Sequence, residues 1–455
     1  MLTDIKKARL CVGIDIGTTT ISALVYDIDN KQQVEGYTVP HSSYIASGDF
    51  STQSVTVIMD RSKELLYNIL DTYNVVCIGV TGQMHGIVYV DENGKAVSDL
   101  INWQDKRGDL PIENGESACQ RIKKLTGVDV FTGYGLATHY YNLINGLIPE
   151  KAVGFVSIMD LFAMEICQIK KPVIHASVAA SFGLFDIKAG RFMTDKISML
   201  GIDSIFLPEV TEKSLVIGNC KGIPVSVPIG DNQASFLGSV KENSDTVLVN
   251  IGTGSQISAV CDYVEPSKDT ELRPFIEGKY LICGSALCGG FAYSMLESFF
   301  RSYVVCAGME NTPQYKIMNQ LGAEAYERGE EGLTVDTFFS GKRSDPSLRG
   351  SIKNIDRVNF TPSALVLGVL KGMCNELYDL YASVPQKKSR IVASGGGVKK
   401  NDLLKRLLSD RFSMPVYINR STEEAGAGAA LFSAFATGKI DYVDGFSDYI
   451  SYMEE

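Results

Sequence analysis

The chain has 455 residues, with 53 Asp and Glu against 43 Lys and Arg for a net charge of −10, which argues against a broad nucleic-acid surface while leaving room for a local basic pocket around an anionic nucleotide. A composition of 45% hydrophobic and 21% charged residues is that of a globular protein, and no apolar run approaches the roughly 18 residues needed to span a bilayer. The length exceeds what one hydrophobic core supports, so two domains are expected. Ten cysteines stand singly, without a CxxC pair, and four histidines leave no zinc-like cluster. Reduced thiols and a cytoplasmic setting fit that usage. The first 17 residues alternate as an opening strand does and show no export signal.

Residues 10–26 read as strand, turn and strand. Asp15 ends the first strand, and Gly17, Thr18, Thr19 and Thr20 bring backbone N–H groups and hydroxyls to one point. Such a turn is either an ordinary β-hairpin or a cradle for phosphate. Residues 246–261 repeat the pattern, with Asn250 in the place of Asp15 and Gly252, Thr253, Gly254 and Ser255 as the turn. A repeat at an offset of 235 residues (250 − 15) implies two related domains, whose hairpins are expected to face each other across a cleft. Asp15 carries the charge that a hydrated Mg2+ needs, and Asn250 does not.

Between the repeats, residues 54–71 have helical spacing and 75–81 form a buried strand that enters Gly82-Gln83-Met84-His85-Gly86. That tight polar turn suits a ligand's hydroxyls, although a lone His is also a common structural residue. Residues 102–107 set the single Trp of the chain, Trp103, beside Asp105, two amides and two cations. Sugar sites have that mixture, and so does a charged turn with one buried Trp. Residues 127–147, with Thr138, His139, Tyr140 and Tyr141, read as loop and helix, and 153–167 as strand and helix. A short strand over 225–229 then leads through Gly230 to Asp231 and Asn232 at a helix N-terminus. Asp231 serves there as a simple cap or as a general base.

Residues 241–245, short and charged, mark the domain boundary, giving domains 1–240 and 241–455. A Gly-rich turn and an aromatic helix follow over 284–300, then a long helix over 361–384. The strand that begins at 391 enters Gly395, Gly396 and Gly397, and a helix resumes at Asn401. Backbone bare of side chains admits a flat ring or a phosphate. The small-residue helix over 423–436 is assigned to packing.

In this order the two Gly-Thr turns, the Q-M-H-G turn, the W-Q-D-K-R turn, the G-D-N segment and the triple glycine resemble the FGGY carbohydrate kinases over nearly the whole chain. The resemblance implies an α/β protein of two ribonuclease-H-like (actin-like ATPase) domains flanking a catalytic cleft. By it, ATP and Mg2+ are used, and the first domain binds the sugar while the second binds the nucleotide. Asp231 is then the base that takes the proton from a primary hydroxyl, and Asp15 with Asp231 places the metal. Gln83, Met84, His85, Trp103, Asp105, Thr138 and Asn232 line the sugar pocket. Thr18–Thr20 and Gly252–Ser255 hold phosphates, and Gly395–Gly397 with Asn401 border the adenosine. A P-loop is excluded by pattern. Residues 133–141 are similar to the G-x-A-T segment of sedoheptulokinases, and the Lys-Leu-x-Trp helix of many xylulokinases is missing. The expected reaction is therefore sedoheptulose to sedoheptulose 7-phosphate, with xylulose or another pentulose as alternative and a non-catalytic sugar sensor as the reading from another class.

Overall fold

The strand Leu10–Ile16 is almost continuously apolar because it lies inside a sheet covered on both faces. It pairs antiparallel with Thr20–Asp27, which pairs with Gln32–Pro40, and parallel with Val75–Gly82, which in turn meets Ile223–Ser226. The computed structural model describes residues 8–46, 48–112, 115–421 and 423–453. The chain divides into two units, one running to Lys241 and taking in Arg273–Lys279 and Ser421–Ser451, the other made of Glu242–Leu272, Tyr280–Arg420 and the residues from Tyr452 on. The division after Lys241 falls where the charged stretch was read as a boundary. The two later stretches of the first unit fall in what the sequence reading assigns to the second domain.

In the second unit the strand Thr246–Ile251 pairs antiparallel with Ser255–Cys261, which pairs with Tyr280–Ala286, and parallel with Arg390–Ser394, which meets Val416–Ile418. The two six-stranded sheets thus share the run 3-2-1-4-5 with strands 1, 4 and 5 parallel, and differ in the sixth strand, which is Val216–Cys220 beside strand 5 in the first and Thr270–Pro274 beside strand 3 in the second. The repeat seen as two Gly-Thr turns is a repeat of a whole sheet, and Asp15 and Asn250 hold the same place in it, each the last residue but one of its strand.

Helix Glu424–Ala436 seals the first sheet. Its apolar surface is built of Gly and Ala, and this lets backbone meet backbone. A β-carbon on Gly13 would stand 1.9 Å from Gly426 O, one on Gly79 1.9 Å from Ala429 O, and one on Gly238 2.0 Å from Glu424 O. Helix Asp231–Ser239 is therefore pressed against the same helix that crosses the middle of the two central strands. The packing role read from the sequence is observed, and its site is the first unit's core.

Replacing Gly79 by Ala is expected to destabilise the protein by about 1–3 kcal/mol or more, because backbone atoms cannot yield to a new methyl. Urea unfolding followed by circular dichroism measures it. Gly36→Ala, whose β-carbon would find its nearest atoms at 3.7 Å, is the control and should leave stability unchanged.

Candidate active site

Asp231 is the first residue of its helix, with Gly230 in extended backbone as the cap. Its side chain therefore lies beside the N–H groups of the helix's first turn instead of occupying the cap position itself. Asn232 donates to its Oδ1 from the backbone at 2.7 Å and from the side-chain amide at 2.8 Å. Burial raises the Asp231 carboxyl above its usual range, opposed by the charge of Arg273 and the bonds from Asn232. Asp15, half-buried at the end of its strand, is pushed up to about 7, first by burial and then by the negative charges of Asp231 and Glu423. Asp15 and Asp231 therefore share one electrostatic environment. Among the described residues no group of three or more His, Cys, Asp or Glu is arranged to hold a metal. Two carboxylates that repel each other are nonetheless a donor set that a divalent cation relieves, with water completing its shell.

The turn Gly17–Thr20 closes with Gly17 N donating to Thr20 O at 3.0 Å. Thr18 is fixed twice, its carbonyl accepting from Gln53 Nε2 at 2.8 Å and its hydroxyl from Trp103 Nε1 at 2.9 Å. Thr19 is exposed and Thr20 half-buried. Trp103 keeps 46% of its surface exposed, so its ring offers an apolar face beside the Gly-Thr turn. The alternative of a buried Trp is not what is observed.

Gln83 is buried, its Nε2 reaching Gln53 Oε1 at 3.3 Å and Gly17 O at 3.4 Å. Its Oε1 has no hydrogen-bond partner. The buried amide of Gln53 also donates to Ser43 Oγ and accepts from Asn102 Nδ2 at 3.3 Å. One glutamine that sequence reasoning passed over thus joins the Gly-Thr turn, the Q-M-H-G turn and the tryptophan turn. Met84 sulfur lies 3.7 Å from Asn232 Nδ2 and 3.9 Å from Arg273 Nη1. Arg273 was also passed over by sequence reasoning, since it lies in the strand Thr270–Pro274, which carries no motif. The His85 ring stacks on Tyr134 at 4.8 Å, and its Nδ1 donates to Ser181 O at 3.0 Å.

Asp105 and Thr138 are placed differently from the other sugar-pocket candidates. Asp105 is fully buried, and its two oxygens take the Ser51 and Arg107 backbone N–H groups and the Arg107 guanidinium at 2.7–3.0 Å. That carboxylate is saturated by the protein and holds Arg107, which reaches Asn142 Oδ1 at 2.7 Å. Thr138 lies inside helix Gly135–Ile144, fully buried with its hydroxyl unpartnered. His139 on the same helix meets Tyr89 OH at 3.0 Å among Phe155 and Phe206.

The second unit holds a cavity of about 490 Å³ lined by Gly252, Thr253, Gly396, Gly397 and Asn401. Sequence reasoning named those residues and missed Phe291, Tyr293, Tyr315 and Asn319, which also line it. Gly395 takes φ +89°, and a β-carbon there would meet Ile251 O at 2.5 Å. Gly254 is exposed and Ser255 buried with its hydroxyl unpartnered. The turn is braced by Gly290 N on Gly252 O at 2.8 Å and Phe291 N on Thr253 O at 2.9 Å. Asn401 caps helix Asp402–Phe412 through Leu404 N and donates its Nδ2 to Asn319 Oδ1 at 3.2 Å, where Tyr293 OH also donates at 2.6 Å. Apolar walls, bare backbone at one end and a few oriented amides suit a planar ring with a phosphate tail.

Two family models match the chain: the N-terminal domain of the FGGY family of carbohydrate kinases over residues 10–238 and the C-terminal domain of that family over 249–437. The protein belongs to the FGGY family of carbohydrate kinases. It is similar to the sedoheptulokinase of Mus musculus, 25% identical over 92% of this chain and 96% of that one, and to the gluconokinase of Bacillus subtilis, 23% identical over 96% and 90%. The solved structure of xylulose kinase from Rhodospirillum rubrum superposes with a TM-score of 0.83 at 19% identity, covering 98% of this chain and 93% of that one. The likeness shows the fold, two α/β domains of the actin-like ATPase kind.

Burial lowers His139 from 6.5 to about 4. As pH falls from about 6.5 to about 4, the unfolded chain takes a proton that the folded chain refuses, so stability is lost across that window. His139→Gln should abolish that part of the pH dependence, about 1.4 kcal/mol per pH unit at most. Denaturant unfolding of both proteins at pH 7, 6 and 5 measures the difference.

Proposed function

We propose that the protein transfers the γ-phosphoryl group of ATP to the terminal primary hydroxyl of an open-chain sugar, with sedoheptulose as the first candidate and sedoheptulose 7-phosphate as its product. The observation that carries the reaction type is Asp231 at its helix start, a carboxylate whose pKa burial raises while the charge of Arg273 and the bonds from Asn232 act in the opposite direction. Such a group accepts a proton as the hydroxyl attacks, since a base works best when its pKa approaches the working pH. Gln83, Met84, His85 and Trp103 are proposed to hold the sugar. Asp105 and Thr138 support that site from inside the protein.

ATP occupies the second unit's cavity in this reading, its ring between Tyr293 and the glycine turn and its phosphates at Gly252–Ser255. Phosphoryl transfer asks the protein for position and charge neutralisation more than for covalent chemistry. Mg2+ fits the Asp15 and Asp231 pair, and when bound it neutralises charge on the phosphates. Arg273 keeps Asp231 ionisable, and Asn232 fixes which carboxylate oxygen faces outward.

Sedoheptulose is favoured by the similarity to the murine enzyme and by the segment around residues 133–141. The cytoplasm, where ten free cysteines persist as thiols, is the proposed setting. ADP release with sedoheptulose, xylulose, ribulose and gluconate in side-by-side assays tests the assignment. Sedoheptulose is expected to exceed the others by about 10² in kcat/KM. A better rate on xylulose or gluconate would transfer the assignment to that sugar, and no ADP release above the sugar-free rate with any of them would favour a sensor. Asp231→Asn is expected to lower kcat by about 10² to 10⁴ while ATP still binds, as measured by calorimetry. Near-normal turnover would remove Asp231 from the base role.

A further inference from the structure

Residues 175–181 carry no part of the reaction proposed above, yet they are bonded to both the base and the sugar turn. Strand Val173–His175 runs into the buried helix Ala176–Ala179 and then into Ala180–Phe182. His175 is fully buried. Its Nδ1 accepts the Ser177 backbone N–H at 3.2 Å and so carries no proton, which leaves the Ser177 hydroxyl, 2.8 Å away, to donate to it. With its proton directed at His175, the Ser177 oxygen is an acceptor, and it takes the Gly230 N–H at 3.1 Å. Four residues further on, the Ser181 hydroxyl lies between Met84 O and Val178 O, its one proton shared between them, and the Ser181 backbone carbonyl takes the His85 Nδ1–H.

Gly230 is the residue immediately before Asp231. Its carbonyl accepts Ala234 N at 2.9 Å, and Ile229 before it is bonded to Val80 O at 3.3 Å and to the Thr81 hydroxyl at 2.8 Å. A β-carbon on Gly230 would meet Gln233 Oε1 at 2.5 Å and Met84 Cε at 3.0 Å. The backbone entering Asp231 is thus tied at every polar atom, and the Ser177 hydroxyl is the tie that comes from neither the sheet nor the helix.

We infer that Ser177 and Ser181 are positioning residues on one buried element, the Ser177 hydroxyl setting the base through Gly230 N–H and the Ser181 hydroxyl setting the sugar turn through Met84 O, while the Ser181 carbonyl holds His85 whatever the side chain. The element fixes the spacing between the carboxylate and the hydroxyl it deprotonates. The inference rests on Asp231 being the base. Base catalysis depends steeply on that spacing, a misplacement of about 1 Å costing roughly 10²-fold.

The test is Ser177→Ala and Ser181→Ala, assayed with ATP and sedoheptulose, xylulose and gluconate, the sugar turned over supplying the constants. Ser177→Ala should lower kcat about 10- to 100-fold and leave KM for sugar and ATP within about twofold. Ser181→Ala should raise the sugar KM about tenfold with a smaller change in kcat. A loss of packing alone would move both constants in both variants. Hydrogen–deuterium exchange of the peptide around Gly230 requires no sugar and should quicken in Ser177→Ala. Wild-type kcat, or unchanged exchange at Gly230, would overturn the inference. Asp231→Asn in the same assay separates the two readings: if it is inactive while Ser177→Ala is normal, the inference alone falls, and if it is active the base reading falls first.

Discussion

The first unit depends on the contact of one helix made of small residues with backbone that has no side chain. Glu424–Ala436 meets Gly13 and Gly79 in the two central strands and Gly238 in the helix that begins at Asp231, each time at a distance that excludes a β-carbon. Because the touching atoms are backbone, the contact cannot relax by rotamer change. Strand Leu10–Ile16 and helix Asp231–Ser239 are consequently fixed to one scaffold, the helix at Gly238 and at Ala234, whose carbonyl lies against Gly428. Asp15 and Asp231 are thereby held close enough for the charge of one to raise the pKa of the other. The repulsion persists because the surrounding packing over-determines the geometry.

The two units share a strand order and differ in what they place around it. In the first, the Gly-Thr turn is backed by the buried amide of Gln53, which uses both of its N–H groups and its carbonyl oxygen to join three turns. A buried amide satisfied at each of these atoms is rigid, since each bond would leave a buried polar group unpaired if it broke. In the second, the corresponding turn is braced only by backbone from helix Gly289–Cys306 and borders an open cavity. The proposed division of labour, a polyol at the first and a nucleotide at the second, follows from that difference. Hydroxyls need directed polar groups, while a base needs apolar walls and a phosphate tail needs bare N–H groups.

Helix Gly135–Ile144 shows how burial decides which groups of a motif face inward. Its G-L-A-T-H-Y-Y run is rich in groups that could read a sugar, yet Thr138 and His139 are directed into the core. His139 is bonded to Tyr89, and Tyr89 to Asn142, which receives Arg107 from the saturated Asp105. These residues form a buried polar chain that is closed within the protein.

The sequence by itself determined the elements whose signals are local. Period-two alternation with a Gly-Thr turn marked both opening hairpins, three glycines after an apolar strand marked the edge of the second unit's cavity, and G-D-N before helical spacing marked Asp231. Turn chemistry and periodicity act over a few residues, so a linear reading reaches them. Only the tertiary structure decided which distant residues meet. It assigned residues 421–451 to the first unit, placed Arg273 beside Asp231, made Gln53 a hub, and turned Asp105 and Thr138 inward. Those outcomes depend on burial and on hydrogen-bond partners dozens to hundreds of residues away, and neither is encoded in the neighbourhood of any single residue.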